Sequence, residues 1–249
     1  MSRQRTAMIT CPTCGTSFET RYWESLNAEM NPAEKEQLLS GKLFYTTCPN
    51  CHAQHQFVYP MLYHDMTHKL MVWLLFEEEQ IRVLLHEMDG VRTSSLMISQ
   101  TGYHYRFVRS INELREKAMI FAYGLDDRVI EVLKLFQRSI IHKKLPHVKV
   151  NRTMFFPGSP HQLIIFAGDG ATYTTELIMD PYEEIAQTRK NRMDERSRGC
   201  VCIDEKWAFD LLQNYGVYNK NLPLMYVHYG NEYMGFSDGT DKSMCLCSC

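Results

Sequence analysis

Cys11-Pro12-Thr13-Cys14-Gly15 and Cys48-Pro49-Asn50-Cys51-His52 share one grammar, and their repetition decides how the N-terminal part of the chain folds. Each C-x-x-C presents two thiols from one tight turn, so two such turns supply the four donors of a tetrahedral ion. Pro12 and Pro49 fix φ after the first cysteine of each pair. Gly15 follows the second cysteine, where a positive φ is often needed and glycine carries no steric penalty. His52 holds the equivalent place in the second turn, where it is a candidate alternative ligand or a contact to the ligands. Soft thiolates at about 2.3 Å suit zinc. Cys11, Cys14, Cys48 and Cys51 are therefore the expected ligands of one structural Zn2+. A redox pair is the competing reading of any C-x-x-C, and the duplication counts against it.

The stretch between Cys14 and Cys48 exceeds the usual spacing of paired motifs, which reads as an inserted helix. Asn31-Pro32-Ala33-Glu34 places Asn at the N-cap, Pro at the first helical position and Glu two further on, and Ser40-Gly41 stops the helix. Residues 17–23 and 56–59 alternate as ribbon strands. Residues 59–75 read as two strands joined by a turn within His64-Asp65-Met66-Thr67-His68. Residues 77–79 look like a solvated connector. Residues 81–85 and 103–108 are strand candidates that extend the ribbon into a larger antiparallel sheet.

Helical grammar follows. Ser110-Ile111-Asn112-Glu113 is a capping box, Ile111, Leu114, Ala118 and Phe121 form an apolar stripe, and Gly124 is placed to end the helix. Asp126 and Asp127 open a second helix with Val129, Val132, Leu133, Phe136 and Ile140 at helical spacing. The two helices are expected to pack as a hairpin or over the sheet. A weak boundary lies near 143–152. Residues 153–179 return to strand, with Gly168-Asp169-Gly170 as a hairpin turn. Asp180-Pro181-Tyr182-Glu183 and Asp204 begin further helices. The expected fold is α+β: an N-terminal four-cysteine zinc-ribbon-like antiparallel sheet, a helical hairpin and a mixed C-terminal segment. Two domains are expected, 8–145 and 146–249, the second ending in a Cys-rich tail that frays.

The chain has 249 residues, 22% charged and 45% hydrophobic, which is globular composition rather than disorder. A formal net charge of -2 gives no global electrostatic case for coating nucleic acid or a membrane surface. Residues 1–9 lack the apolar stretch of a signal peptide, and the longest apolar run, 71–76, is too short to span a bilayer. The cytoplasm is the expected compartment, where reduced thiols favour metal over disulfides. Cys200, Cys202, Cys245, Cys247 and Cys249 are candidates for a second thiolate site. The plainer reading places the first two in a strand and the rest in the tail.

For catalysis the best cluster is His64, Asp65 and His68. On a helix the two histidines would share a face, but the surroundings alternate like strands, so Asp65 reads as turn chemistry. A four-cysteine site leaves no open coordination position for a catalytic ion. The run from Arg189 through Arg198, together with His142, Lys143, Lys144 and Lys149, is modestly basic, and Arg21, Tyr22 and Trp23 flank the first cysteine turn. These are the residues on which a nucleic-acid reading rests.

The paired C-P-x-C turns, the Asn31-Pro32-Ala33-Glu34 helix start, Tyr63-His64-Asp65-Met66 and Gly124-Leu125-Asp126-Asp127-Arg128-Val129-Ile130-Glu131 together resemble the CpXC domain family over roughly residues 8–140. The resemblance implies a metal-binding domain found mainly in bacteria, with Cys11, Cys14, Cys48 and Cys51 as the family's cysteines and no assigned activity. The expected role is a zinc-stabilised binding or scaffolding module with a protein partner. The alternatives are a nucleic-acid-binding or transcription-associated regulator and, further off, an enzyme or thiol redox protein. Oligomeric state is left open by the sequence.

Overall fold

Strand β1 (Arg3–Thr10) and strand β2 (Ser17–Asn27) form a long antiparallel hairpin that closes at the Thr10–Ser17 pair, leaving the first cysteine turn at its tip. The computed structural model describes residues 2–92 and 102–213. The chain divides into two compact units, Met1–Leu125 with Ser197–Cys202, and Asp126–Arg196 with Ile203–Cys249.

In the first unit the hairpin leads to α1 (Pro32–Leu39), then to β3 (Tyr45–Thr47) and β4 (Gln54–Gln56), which pair around the second cysteine turn. Next come β5 (Met61–Asp65), β6 (Leu70–Leu74), α2 (Glu78–Arg92), β7 (His104–Val108) and α3 (Ile111–Ala122). A short strand from later in the chain, β11 (Cys200–Val201), completes a six-stranded sheet of order β1-β2-β5-β6-β7-β11.

The α+β class and the N-terminal sheet stand, with a correction to the strand directions. The hairpins β1–β2 and β5–β6 are antiparallel, but β2–β5, β6–β7 and β7–β11 are parallel. Parallel neighbours need a long crossover, and α1 and α2 lie in the connections that return the chain in the same direction. Residues 81–85, read from sequence as a strand, belong to α2. Ile81 and Leu84 are buried while Val83 is 48% exposed, a spacing that fits a helical face and breaks strand alternation. Glu78 and Glu79, read as connector, sit in the first turn of α2, where carboxylates favour the helix dipole.

Strands β5 and β6 alternate cleanly, so Met61, Tyr63, Asp65, Leu70, Val72 and Leu74 are all buried. Helix α3 packs on β6 and β7. Its Ser110 Oγ accepts from the Glu113 amide, and the Glu113 carboxylate accepts from the Arg109 amide at 2.8 Å, one residue beyond the usual capping box. Arg115 of α3 donates to the Leu39 carbonyl at 2.9 Å, satisfying an end group of α1. Gly41 beside it has φ +80°, and a Cβ there would lie 2.9 Å from the Arg115 guanidinium carbon.

Asp65 organises the β5–β6 turn. It accepts from the His68 amide at 3.0 Å, His68 Nδ1 at 2.8 Å, Lys35 Nζ at 3.0 Å and the Tyr63 hydroxyl at 3.2 Å. Burial pushes its pKa up. The His68 amide and ring and the Lys35 ammonium outweigh that and hold the carboxyl well below its ordinary value.

The second unit holds α4 (Asp127–Lys144), β8 (Val150–Phe156), β9 (Gln162–Ala167), β10 (Thr172–Glu176), α5 (Met179–Thr188), α6 (Lys190–Arg196) and α7 (Glu205–Gln213). Strand β9 is central between β10 and β8. Gly168-Asp169-Gly170 turns the β9–β10 hairpin: Gly170 has φ +85° and Asp169 Oδ1 accepts from the Ala171 amide. Asp126 caps α4 by accepting from the Arg128 amide, and Asp204 accepts from the Trp207 amide at the start of α7. A small core joins Ile141, Val148, Val150, Ile165 and Ala167. Helix α4 also contacts α5 and α7 within this unit.

Because the Asp65 pKa is depressed on folding, its stabilisation is present above the unfolded carboxylate value of about 3.9 and is lost as pH falls through the folded value. Asp65→Asn removes charge-assisted bonds and is expected to lower stability by roughly 2–3 kcal/mol. Urea melts of both proteins from neutral to acid pH measure this. The wild type should converge on the variant at low pH, and a gap that is constant with pH would reject the assignment.

Candidate metal centre

Both cysteine turns sit at the tips of hairpins, and the backbone of each is closed the same way. In the first, the Gly15 amide donates to the Cys11 carbonyl at 2.9 Å and the Cys11 amide to Thr16 at 2.9 Å. In the second, the His52 amide donates to the Cys48 carbonyl at 3.0 Å and the Cys48 amide to Ala53 at 3.0 Å. Gly15 has φ +73° and His52 has φ +57°, so the position after each second cysteine is left-handed in both turns. His52 takes this conformation despite its side chain.

The four cysteines named from sequence come together. Their sulfurs all lie within 4.8 Å of one another. Cys11 Sγ is 3.6 Å from Cys51 Sγ, and Cys14 Sγ is 3.7 Å from Cys48 Sγ. An ion bonded at about 2.3 Å to four sulfurs sets tetrahedral edges of about 3.8 Å, which these two separations match, so the residues fit such an ion. Cys11 and Cys48 are buried, Cys51 is half-buried and Cys14 is exposed. Phe18 packs with Cys11 and Cys48, with Ile9 and Cys51 alongside, so apolar side chains back one side of the cluster.

The two turns are held in one body. The Thr20 and Thr46 hydroxyls meet at 2.9 Å across the two hairpins. Tyr59 packs against Tyr22 at 5.2 Å, Phe44 at 4.9 Å and Phe57 at 5.3 Å between ring centroids. Asn50 Nδ2 of the second turn donates to Thr16 Oγ1 of the first at 3.1 Å.

Electrostatics separate the thiols. The Thr16 side chain and amide, with Asn50, stabilise a thiolate at Cys14 and lower its pKa to about 5. At Cys51 the Ala53 amide works in the same direction, but desolvation and the three neighbouring thiols prevail and push the pKa up to about 12. Four ionised sulfurs at these distances repel strongly, and a divalent cation among them removes the obstacle.

The imidazole that reaches the cluster belongs to His55, not His52: His55 Nε2 lies 3.2 Å from Cys11 Sγ. Its signal in the sequence is weak, a histidine four residues after Cys51 on the returning strand β4. His64 and His68 do not converge. His64 Nε2 bonds Tyr103 Oη at 3.0 Å, whereas His68 bonds Asp65 in the turn. Among the described residues, no other group of three or more His, Cys, Asp or Glu gathers metal-ligating atoms within such a distance. Cys202 is buried, Cys200 lies in β11, and Cys245, Cys247 and Cys249 fall outside the described residues.

Cys48→Ser is expected to release bound metal and speed hydrogen exchange in both cysteine turns while leaving β5–β7 protected. Unchanged metal content and exchange would reject the four-ligand set. His55→Ala should weaken metal retention about 10–100-fold in a chelator competition, through loss of the ring beside Cys11. His52→Gly, which relieves a left-handed non-glycine residue, should leave retention intact. Equal losses in both variants would contradict this division of roles.

The family model described as CpXC protein matches residues 9–134, just over half of the chain. No curated protein and no solved structure matches it. The matched span contains both cysteine turns, the α1 insertion and the β5–β6 turn. On that match and on the four clustered cysteines, the chain belongs to the CpXC family and carries a site able to hold a metal ion.

Proposed function

We propose that the chain is a zinc-stabilised binding module whose partner is another protein. The observation that carries this reading is the closed donor set at Cys11, Cys14, Cys48 and Cys51. Four sulfurs complete a tetrahedron, so the ion shapes the ribbon and leaves no position for a substrate. The linked hairpin tips then form a preorganised surface, which lowers the cost of binding. The cytoplasm, with its reduced thiols, suits such a site. Among the described residues, no helix is long and apolar enough to cross a membrane.

Charge favours a protein over a nucleic acid. In the basic run, Lys190 donates to Asp194 at 2.7 Å, so one of its charges is paired within the fold; the same carboxylate also accepts from Arg128 of α4 at 2.8 Å. Nucleic-acid binding is the alternative reading, resting on the rest of the run, on His142, Lys143, Lys144 and Lys149, and on Arg21, Tyr22 and Trp23 beside the first cysteine turn.

Partner capture by the full chain discriminates the two. Proteins retained by wild type and lost with Cys48→Ser, unaffected by nuclease, are the expected result. Retention abolished by nuclease and falling steeply with salt would instead assign nucleic acid.

A further inference from the structure

Strand β1 (Arg3–Thr10) is the outer strand of the six-stranded sheet, and among the described residues no strand pairs with its far side. The Cys11 amide donates across the hairpin to the Thr16 carbonyl, and antiparallel partners exchange such bonds at every second pair. Counting back along the register, the backbone groups of Ile9, Ala7 and Arg5 face β2, and those of Thr10, Met8, Thr6 and Gln4 face outward. These four residues are exposed, Met8 at 68%. An edge of this length is a template for another strand unless the sequence blunts it. Neither proline nor lysine interrupts β1, and the register shift of the hairpin lies at its end, between Arg3 and Gln4.

The side chains along the edge define what kind of strand fits. Arg5, Ala7 and Ile9 share one face of the hairpin. Ile9 packs on the cysteine cluster and Ala7 is half-buried, so that end is apolar. At the other end Arg3 and Arg5 both donate to one carboxylate, Glu24, at 2.8 and 3.0 Å, and all three side chains are about half exposed. Two guanidiniums on one carboxylate leave this end of the edge net positive. A second copy of β1 laid alongside would double that excess, whereas an acidic strand removes it.

We propose that the outer edge of β1 receives an extended, acidic segment of a partner protein by antiparallel strand addition. The segment's backbone bonds Gln4, Thr6, Met8 and Thr10, its aliphatic side chains lie beside Ile9 and Ala7, and its carboxylates lie beside Arg5 and Arg3. Main-chain bonds supply the affinity and the alternate side chains the specificity. This inference rests on the reading of the chain as a protein-binding module and names the chemistry of the partner. Strand β1 runs directly into Cys11, so an ion held by the four sulfurs anchors one end of the receiving edge.

The test titrates the zinc-loaded full chain to millimolar levels of a blocked synthetic peptide, Thr-Val-Thr-Val-Thr-Glu-Thr-Glu, and of a second peptide with Lys for both Glu. Amide NMR and fluorescence anisotropy follow binding. The acidic peptide should shift the amides of Gln4, Thr6, Met8 and Thr10 and bind about ten-fold tighter than the lysine peptide. Thr6→Pro removes an outward donor from an edge strand, where proline is tolerated, and should weaken the acidic peptide about ten-fold with metal content unchanged. Arg3→Gln/Arg5→Gln, at exposed positions, should erase the discrimination between the peptides. No binding of the acidic peptide by wild type, or equal binding of both peptides, would overturn the proposal. A concentration-dependent dimer that Thr6→Pro abolishes would also overturn it, assigning the edge to a second copy. Partner capture with Arg3→Gln/Arg5→Gln separates the two readings: an unchanged set of captured proteins sinks the edge and leaves the binding module standing. An empty capture by wild type sinks the module, and the peptide titration still decides the edge.

Discussion

Four cysteine sulfurs within 4.8 Å of one another repel once they are ionised, and a divalent cation among them offsets that repulsion. Like charges at such separations repel by several kcal/mol even at an intermediate dielectric. The thiols already differ in environment: Thr16 and Asn50 lower the pKa of Cys14 to about 5, while at Cys51 the Ala53 amide is outweighed by burial and the neighbouring thiols, which push it up to about 12. The second hairpin is short, with three residues in each of β3 and β4, and an isolated two-stranded hairpin is marginal in water; it relies on the Thr20–Thr46 and Asn50–Thr16 bonds and the Tyr59 ring cluster as well as on any bound ion. In zinc-finger peptides the metal contributes about 10–16 kcal/mol to folding, comparable to the ~5–15 kcal/mol net stability of a whole domain. On the proposed reading, the ion therefore determines whether the ribbon exists as an ordered surface.

The remainder of the first unit rests on different physics. The antiparallel β5–β6 hairpin and the parallel β6–β7 joint place β5, β6 and β7 side by side, α3 covers β6 and β7, and the buried Asp65 fixes the β5–β6 turn through Lys35 and His68. These contacts contain no cysteine. Metal loss should therefore be read in the ribbon and proton uptake in the Asp65 turn, as two separable responses of one unit.

The local signals that proved legible were those with a short-range cause. Repeated C-P-x-C turns located the four cysteines, Ser110 and Asp126 marked helix starts, and Gly168-Asp169-Gly170 marked a hairpin. Asp65 was readable as turn chemistry because an aspartate can accept amides from its own turn. What failed depended on tertiary context. The five residues 81–85 fit either a strand or a helix, and the burial of Leu84 with the exposure of Val83 decides for α2. Parallel pairing follows from crossovers that no local pattern encodes. His55 reaches Cys11 because the β3–β4 register turns it inward, whereas His52, inside the motif, was the more visible histidine.

The central claim is that these four thiols hold one ion. Metal content by elemental analysis of protein purified without added metal, paired with thiol titration under native conditions, tests it most directly. One zinc per chain, with four thiols protected until a chelator is added, is the result expected of a closed tetrahedral site. Metal-free protein whose cysteine-turn thiols react at once and reoxidise reversibly would contradict the account and put redox chemistry in its place.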